Sequence, residues 1–362
     1  MYISTVHRQP LHPERMASSI NNSAWLDWMA ELMGGVSRQR YSATFSPDRF
    51  YCLLDELPLH LVPRPALAER PDWRASRVLF LNPDCRLCPG EELPEELRSQ
   101  RELLSAFALR GTIAWVRYAE TGSLIPFWLG PQFESFVRDL RPGEPVPDSV
   151  GVRARFVLER AGVLVSTDSI SERHAEREDR VRKAGELFQK KGYAPLAGLI
   201  HPFHIAALRR YYRYQIRTGA IPLGDGQSPL RYVAYNDPVA RFFHRQIAAA
   251  LSAVAGEPVK TSYVYLASYL SGAELKKHVD REQCEFSITL CLDFSPEPAL
   301  ATSWPICLDT PTGEATVYQA LGDGLAYRGT RLPHYRSRLG DGYTSTSVFF
   351  HYVAADFTGS LD

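Results

Sequence analysis

Two histidines and one aspartate have the types and spacing of a metal-binding set. One residue separates His278 from Asp280, and His334 follows much later in the chain. Residues two apart in a strand point to the same side, so the first two side chains can face one cavity. Two imidazoles and one carboxylate form the facial triad of non-haem iron(II) sites, which leaves coordination positions open for reactants. The pattern predicts an iron site. The alternative is that the histidines are unrelated polar residues at strand ends.

The residues around this set favour a site built on strands. Residues 261–270 are rich in tyrosine and β-branched side chains and predict a strand before the His-x-Asp pair. Apolar and polar residues alternate over 286–294, which predicts a second strand after it. The second histidine lies in a third strand-like piece, 332–339, between glycine-rich turns. A His-x-Asp pair alone is common by chance, and this context makes the metal-site interpretation the better one.

The last third of the chain resembles the iron(II)/2-oxoglutarate-dependent dioxygenases, and most closely their prolyl-4-hydroxylase-like branch. Two segments carry the resemblance, SYLSGAELKKHVDREQCEFSITLCLDF and GDGLAYRGTRLPHYRSRLGDGYTSTSVFFHYV. They preserve the order of tyrosine-rich strand, His-x-Asp, alternating strand, Gly-Asp turn, Pro-His and final strand. The resemblance implies an α+β chain whose C-terminal domain is a double-stranded β-helix, or jelly roll, with flanking helices.

The resemblance also implies a reaction and its cofactors. Iron(II), 2-oxoglutarate and O2 would be used to hydroxylate an unactivated C–H bond of an amino-acid-like or peptidyl substrate, with release of succinate and CO2. His278, Asp280 and His334 would be the metal ligands and catalytic residues. Because Asp280 fills the carboxylate position, a halogenase that leaves this position to chloride is disfavoured.

One element of the family pattern is absent. Members usually carry arginine or lysine on the last strand to bind the far carboxylate of 2-oxoglutarate, and residues 343–346 include no cation. Strand parity offers Arg336 and Arg338, which should share the inward face of His334. A guanidinium can bind a carboxylate through two hydrogen bonds. We favour Arg338, which lies farther along the strand, with Thr346 as an added hydroxyl donor. The alternative is that both arginines face solvent.

Three tyrosines precede the triad on one strand face: Tyr263, Tyr265 and Tyr269. We expect Tyr265 or Tyr269 to contact 2-oxoglutarate or the substrate, and the alternative is aromatic packing in the core. Arg281 directly follows the aspartate of the triad and either reaches a substrate carboxylate or faces solvent.

Chain length predicts two domains. We place an α+β domain of open function, with a possible role in substrate recognition, at 1–170 and the barrel domain at 171–362. The first domain should contain helices beginning at Trp25 and over 45–57, and strands at 78–81, 112–116, 152–158 and 163–166. Cys85 and Cys88 form only half of a structural zinc site, and we interpret them as ordinary thiols. In the second domain, helices are predicted over 168–191, 202–219 and 237–256.

The composition bounds the partners and the compartment. Lys+Arg and Asp+Glu both number 41, so no charge excess indicates nucleic acid or an anionic membrane as a partner. No long apolar run predicts a membrane span, and the N-terminus lacks a signal-peptide pattern. Six cysteines in 362 residues do not resemble a disulfide framework. The expectation is a cytoplasmic protein acting on a small molecule or peptide.

Two other functions are compatible with the sequence. A catalytically inactive barrel that binds a ligand or partner would explain the missing final-strand cation, although the intact triad argues against it. A cupin-type metal-dependent oxygenase would consume O2 without using 2-oxoglutarate. Cupins share the jelly-roll shape, so fold alone does not separate the two enzymes.

Overall fold

Small antiparallel sheets and short helices make up the first half of the chain. The structure is a computed structural model in which residues 45–64, 66, 78–141 and 143–361 are described. The elements are β1 (Phe80–Leu81), β2 (Arg86–Pro89), β3 (Thr112–Arg117), β4 (Leu124–Leu129), α1 (Pro131–Asp139), α2 (Val152–Arg160) and β5 (Leu164–Val165), with 3₁₀ helices at Leu59–Leu61 and Glu95–Leu104. One sheet has the order β2-β3-β4, and the other pairs β1 with β5.

Two predictions for this half are wrong. The strand predicted over 152–158 is the helix α2, because Ala154, Val157 and Leu158 are buried at the spacing of one helical face. The helix predicted over 45–57 does not form. The segment is irregular and contains turns, and Phe50 and Leu53 make isolated bridges to Phe107 and Trp128. The strands predicted near β1, β3 and β5 are confirmed, and the helix predicted from Trp25 lies outside the described residues.

Three long helices follow, and all three were predicted. They are α3 (Thr167–Lys191), α4 (Pro202–Arg217) and α5 (Pro238–Ala255). The start of α5 is set locally, because the Asp237 carboxylate accepts from the backbone N–H groups of Val239 and Ala240, both at 3.0 Å. Its end is set by Gly256, which adopts a left-handed φ of 74°. The boundary predicted near Ser171 falls inside α3.

Two antiparallel sheets contain the remaining strands. The strands are β6 (Tyr193–Leu196), β7 (Arg231–Tyr235), β8 (Val259–Tyr269), β9 (Leu275–His278), β10 (Phe286–Ser295), β11 (Ile306–Thr310), β12 (Gly313–Val317), β13 (Gly324–Arg328), β14 (His334–Arg336) and β15 (Thr344–Ala354). The large sheet has the order β6-β13-β10-β15-β8-β7, and the small sheet has the order β12-β11-β14-β9. Ile306 and Leu308 of the small sheet pack with Leu325 and Tyr327 of the large one.

The two faces of the large sheet differ in their neighbours. Leu290, Val348 and Phe350 pack against α4 and α5, where they border Leu208 and Phe243. Side chains alternate along a strand, so the residues between them point the opposite way, toward the small sheet. These inward residues are Ser287, Thr289 and Cys291 on β10, and Ser347, Phe349 and His351 on β15. The inward face is therefore unusually polar for a buried surface.

Both halves of the chain share one aromatic core. The Phe50 ring lies 4.9 Å from Phe107, 6.2 Å from Trp128, 6.1 Å from Tyr211 of α4 and 5.9 Å from Phe243 of α5. Residues 45–362 form one compact unit. Among the helices that the structure describes, none combines the length and the apolar character needed to cross a bilayer.

Candidate metal centre and its pocket

Strand pairing brings the three predicted ligands together. His278 ends β9 and His334 begins β14, and the two are direct partners in the antiparallel register. Their ring centroids are 4.4 Å apart. Asp280 lies just beyond β9, with its Oδ1 3.6 Å from Nε2 of His278 and 3.5 Å from Nε2 of His334. One ligand atom from each residue lies within 4.8 Å of the others. Three donors therefore converge on one point.

The backbone orients both imidazoles. Nδ1 of His278 is 2.7 Å from the carbonyl oxygen of Lys276, and Nδ1 of His334 is 3.0 Å from that of Leu332. A carbonyl only accepts, so each Nδ1 carries the proton and donates it. Each Nε2 is then unprotonated and carries a lone pair, which is the tautomer that a metal requires. The Tyr327 hydroxyl lies 3.4 Å from Nε2 of His334.

The carboxylate of Asp280 is held by a relay of buried side chains. The Ser287 hydroxyl donates to Oδ2 at 2.8 Å and lies 2.9 Å from Nδ1 of His351. The serine proton is committed to the carboxylate, so Nδ1 of His351 must donate to the serine. Oδ2 is thereby engaged, while Oδ1 faces the two histidines.

Electrostatics favour an ionised carboxylate and neutral buried imidazoles. Burial alone would raise the pKa of Asp280, but the His278 imidazole and the surrounding donors outweigh it and the pKa falls to about 2. The contact with Asp280 raises the pKa of His278, which is partly exposed. Burial lowers the pKa of His334. Burial also lowers the pKa of His351 to about 4, so its ring is neutral near pH 7.

Gly329 lets the chain pass directly behind the aspartate. Its carbonyl oxygen accepts from the Asp280 N–H at 2.9 Å. A Cβ at this position would lie 2.4 Å from Oδ2 of Asp280 and 2.4 Å from the carbonyl oxygen of Cys284. Only glycine fits here without moving the ligand.

Buried polar groups surround a cation two residues after His334 on β14. Arg336 is 4% exposed, and its guanidinium donates to the carbonyl oxygen of Trp304 at 2.6 Å and to Oε1 of Gln319 at 3.1 Å. Burial lowers the pKa of Arg336, and among the described residues no carboxylate lies within 4.0 Å of it. Nε of Arg336 and the hydroxyls of Thr289 and Ser347 are buried with no partner among the residues described. Such groups are rare in folded proteins and indicate room for a polar ligand.

Tyr265 and Tyr269 lie on the inward face of β8, where they pair with Phe349 and Ser345 of β15. Tyr269 is fully buried, and its ring centroid is 5.1 Å from that of Trp304, the residue over which Arg336 is placed. The Tyr265 hydroxyl donates to Oδ2 of Asp225 at 2.8 Å. Tyr269 therefore borders the cationic pocket, while the hydroxyl of Tyr265 is already engaged.

The placement predicted for Arg338 is wrong. Its side chain is 71% exposed and lies 3.5 Å from Asp341. Strand parity holds only within a strand, and β14 ends at Arg336. Beyond that residue the chain turns and Arg338 points outward, so Arg336 alone of the two enters the pocket.

The placement predicted for Thr346 is also wrong. Its hydroxyl donates to Ser268 at 2.8 Å on the face of the large sheet that α4 covers. Its partner in the register is Asp293, which pairs with Arg209 and Arg213 of α4. The neighbouring residue Ser347 points inward instead.

Sequence reasoning missed several residues around the site. Ser287 and His351 could have been found from strand alternation, because both have the parity of the inward face. Gly329, Gln319 and the Arg231–Asp225 ion pair at 2.6 Å gave no local signal. A second ligand-like group, Asp280, Cys284 and His351, shares its aspartate with the triad. In the described part of the chain, Cys85 and Cys88 belong to no such group.

Comparisons with known proteins concern the fold of about half of the chain. No protein-family model and no curated protein matches. A prolyl-4-hydroxylase of Pseudomonas putida is similar at 15% identity, with a TM-score of 0.39, over 47% of this chain and 98% of that one. A 2OG-Fe(II) oxygenase family protein of Burkholderia pseudomallei is similar at 12% identity, with a TM-score of 0.40, over 50% of this chain and 92% of that one. HygX of Streptomyces hygroscopicus, with nickel, 2-oxoglutarate and hygromycin B bound, is similar at 14% identity, with a TM-score of 0.39, over 49% of this chain and 88% of that one.

Proposed function

We propose that this protein is an iron(II)- and 2-oxoglutarate-dependent dioxygenase that hydroxylates a C–H bond of a small molecule or peptide. The observation that carries the proposal is the convergence of His278, Asp280 and His334 within 4.8 Å, with three protein donors of the facial-triad type. The same three residues would be the metal ligands and the catalytic set.

The donor set fits ferrous iron. Both Nε2 lone pairs and one carboxylate oxygen are directed at a single point, and the rings are held by backbone carbonyls. Outer hydrogen bonds of this kind raise metal affinity by fixing the tautomer and the ring orientation. Three protein donors leave the remaining positions of an octahedron for co-substrate and O2.

The pocket fits a dicarboxylate. Arg336 supplies a buried guanidinium that no described carboxylate neutralises, and the hydroxyls of Thr289 and Ser347 are unpartnered. We therefore assign to Arg336 the role of binding the far carboxylate of 2-oxoglutarate. Tyr269 lies beside the same groups. Tyr265 would contribute indirectly by holding its neighbour Arg231, whose guanidinium lies 5.6 Å from the Tyr265 ring centroid. An anchor on β14 would replace the cation absent from β15.

The chain's own residues would position the reactants and exclude water. Iron with 2-oxoglutarate and O2 supplies the oxidation of a C–H bond, with succinate and CO2 as products. Arg336 would fix one end of the co-substrate, and the relay from Ser287 to His351 would keep Asp280 ionised and oriented. The apolar cluster around Leu308 and Leu325 would close the inner side of the pocket to water.

The remaining assignments follow from where these residues lie. We propose that the large and small sheets together form a double-stranded β-helix, which is supported by the packing of Ile306 and Leu308 of the small sheet with Leu325 and Tyr327 of the large one. All candidate ligands come from 171–362, so we propose that this part performs the reaction and that residues before it support stability or substrate recognition. The six cysteines are free thiols, which is consistent with a reducing, cytoplasmic compartment.

An anaerobic titration tests the proposal. Iron(II) is added to the protein, followed by 2-oxoglutarate, and the visible charge-transfer band of the iron–keto acid complex is recorded. We expect a band in the wild type and none in His334→Ala. Absence of the band in the wild type, despite bound iron, would contradict the proposal and favour a ligand-binding barrel or an oxygenase that does not use 2-oxoglutarate.

A further inference from the structure

Arg281 is exposed, but its side chain is held in one position. Its Nε donates to the Tyr263 hydroxyl at 3.2 Å, and a terminal nitrogen donates to the Tyr235 hydroxyl at 3.4 Å. The guanidinium carbon lies 4.5 Å from the Tyr263 ring centroid. The two tyrosine rings stack, with centroids 5.0 Å apart and planes at 26°. Two phenols and a cation–π contact therefore fix a guanidinium that would otherwise move freely in solvent.

The charge of this guanidinium is not neutralised. Among the described residues, no carboxylate lies within 4.0 Å of Arg281. Two neighbouring cations of the sheets are paired with carboxylates: Arg231 with Asp225 at 2.6 Å, and Lys277 with Asp309 at 2.7 Å. Phenols cannot replace an acid here, because burial raises the pKa of Tyr263 and keeps it protonated. The guanidinium retains donors for an oxyanion.

Arg281 directly follows the ligand Asp280 and therefore lies next to the metal centre. The His278 side chain is 41% exposed, whereas that of His334 is 3% exposed. Arg281 contacts Tyr263, an inward residue whose ring centroid lies 4.6 Å from that of His351 in the relay behind Asp280. The centre is open to solvent at His278, and Arg281 adjoins it through Asp280 and Tyr263.

We infer that Arg281, Tyr235 and Tyr263 form the subsite that binds an oxyanion of the substrate, either a carboxylate or a phosphate. The inference rests on the proposed function and adds a substrate class to it. The guanidinium and its phenols would bind the anionic group, and the exposed ring of Tyr235 would contact the adjoining carbon skeleton. The site of oxidation would then lie near the anion, because Arg281 adjoins the ligand Asp280. A neutral substrate would leave the guanidinium unused.

Binding of small aromatic anions tests the subsite. The full chain is loaded with zinc(II), which is redox-inactive, and saturated with 2-oxoglutarate so that the Arg336 pocket is occupied. Benzoate, phenyl phosphate and the neutral analogue benzamide are then titrated by ligand-observed NMR. We expect at least one of the anions to bind saturably and more tightly than benzamide. Preference for benzoate would identify a carboxylate, and preference for phenyl phosphate a phosphate. Benzamide binding as tightly as both anions would overturn the inference.

Matched variants make the result specific. Arg281→Gln should weaken anion binding by roughly tenfold or more, the scale expected for loss of a charge-assisted hydrogen bond. Arg338→Gln removes the same charge from a distant exposed position and should have no effect. Wild-type affinity in Arg281→Gln would overturn the inference.

The iron–2-oxoglutarate band is measured on the same variants, so that this inference and the proposed function can fail separately. Arg281→Gln should keep the band, and loss of it would place Arg281 in support of the metal centre instead. A band without anion binding would leave the proposed function standing and remove the subsite. Anion binding without a band would leave the subsite standing and contradict the proposed function.

Discussion

At the scale of single residues, hydrogen bonds to the other atoms of each ligand determine which atom is left to face the metal site. Both Nδ1 atoms are committed to backbone carbonyls, and one oxygen of Asp280 is committed to Ser287. The remaining donor atoms face one another, and Nε2 of His334 also lies 3.4 Å from the Tyr327 hydroxyl. A buried carboxylate between two imidazoles is stable here because donors surround it.

Removing a ligand should remove tight iron binding. His278→Ala and His334→Ala each leave two protein donors, which rarely hold a labile divalent ion. Asp280→Ala should abolish hydroxylation. Iron content after gel filtration and succinate release under air are the measurements. Full iron content and turnover in all three variants would refute the assignment.

The support from Ser287 should be measurable apart from stability. Ser287→Ala removes the donor to Asp280, and we expect iron affinity to fall about tenfold to 100-fold, as for other outer hydrogen bonds of metal ligands. Ser268→Ala is the control, because this buried serine lies on the opposite face and bonds Thr346. Equal iron affinity in the two variants would show that the relay does not position the ligand.

Arg336 should govern the 2-oxoglutarate requirement. Arg336→Leu should raise the apparent Kd for 2-oxoglutarate by about tenfold or more, since loss of a charge-assisted pair costs roughly 1.5–3 kcal/mol. Iron affinity should barely change. Arg338→Leu serves as the control and should behave as the wild type, because its side chain is exposed. If only Arg338→Leu raised the apparent Kd, Arg338 and not Arg336 would be the residue that binds 2-oxoglutarate.

At the scale of elements, the site depends on how closely two connections approach. The segment after β9 carries Asp280, and the segment after β13 carries Gly329, and their backbones are joined by a 2.9 Å hydrogen bond. The relay residues come from β10 and β15 of the large sheet. The small sheet supplies both histidines, so the carboxylate is supported from one sheet and the imidazoles from the other.

Gly329→Ala should disturb the ligand without unfolding the chain. The added Cβ would lie 2.4 Å from Oδ2 of Asp280, so the carboxylate or the connection must shift. We expect weaker iron binding with unchanged far-ultraviolet circular dichroism. Gly340→Ala is a matched control, because its Cβ would meet only the Tyr343 ring at 3.4 Å. If both variants bound iron like the wild type, the close approach would not matter.

At the scale of the whole molecule, the first half of the chain stabilises the helices that back the large sheet. Phe50 and Phe107 of the first half contact α4 and α5, and Arg209 of α4 donates to the carbonyl oxygen of Leu61 at 2.6 Å. Arg209 also pairs with Asp293 of β10 at 2.9 Å. The helical layer is therefore shared between the first half and the sheet that holds the relay.

Phe50→Ala should lower the stability of both halves together. Phe50 is fully buried, and truncation of a buried phenylalanine costs about 3–5 kcal/mol. Urea unfolding followed by tryptophan fluorescence and by circular dichroism should shift in one common transition. Two separate transitions, with only one of them moved, would show that the halves unfold independently.

The elements and ligands that could be predicted from sequence are those whose signals are local. Helix α5 has its cap at Asp237, its proline next and its glycine after the last turn, all within one segment. Alternation along β10 and the His-x-Asp spacing are likewise local patterns. The residue types, their strand context and the resemblance of the last third of the sequence together indicated iron chemistry.

Only the tertiary structure decided which further residues belong to the site. The choice of Arg336 over Arg338 depends on where β14 ends, and the outward placement of Thr346 depends on its pairing with Asp293 and Ser268. Strand ends and registers are set by hydrogen bonds to distant segments, which periodicity in one segment does not encode. The same holds for α2, whose alternating apolar residues suited a strand until burial on one helical face decided otherwise. The close approach of Gly329 to Asp280, and the contacts of Arg281 with Tyr235 and Tyr263, likewise involve neighbours remote in sequence.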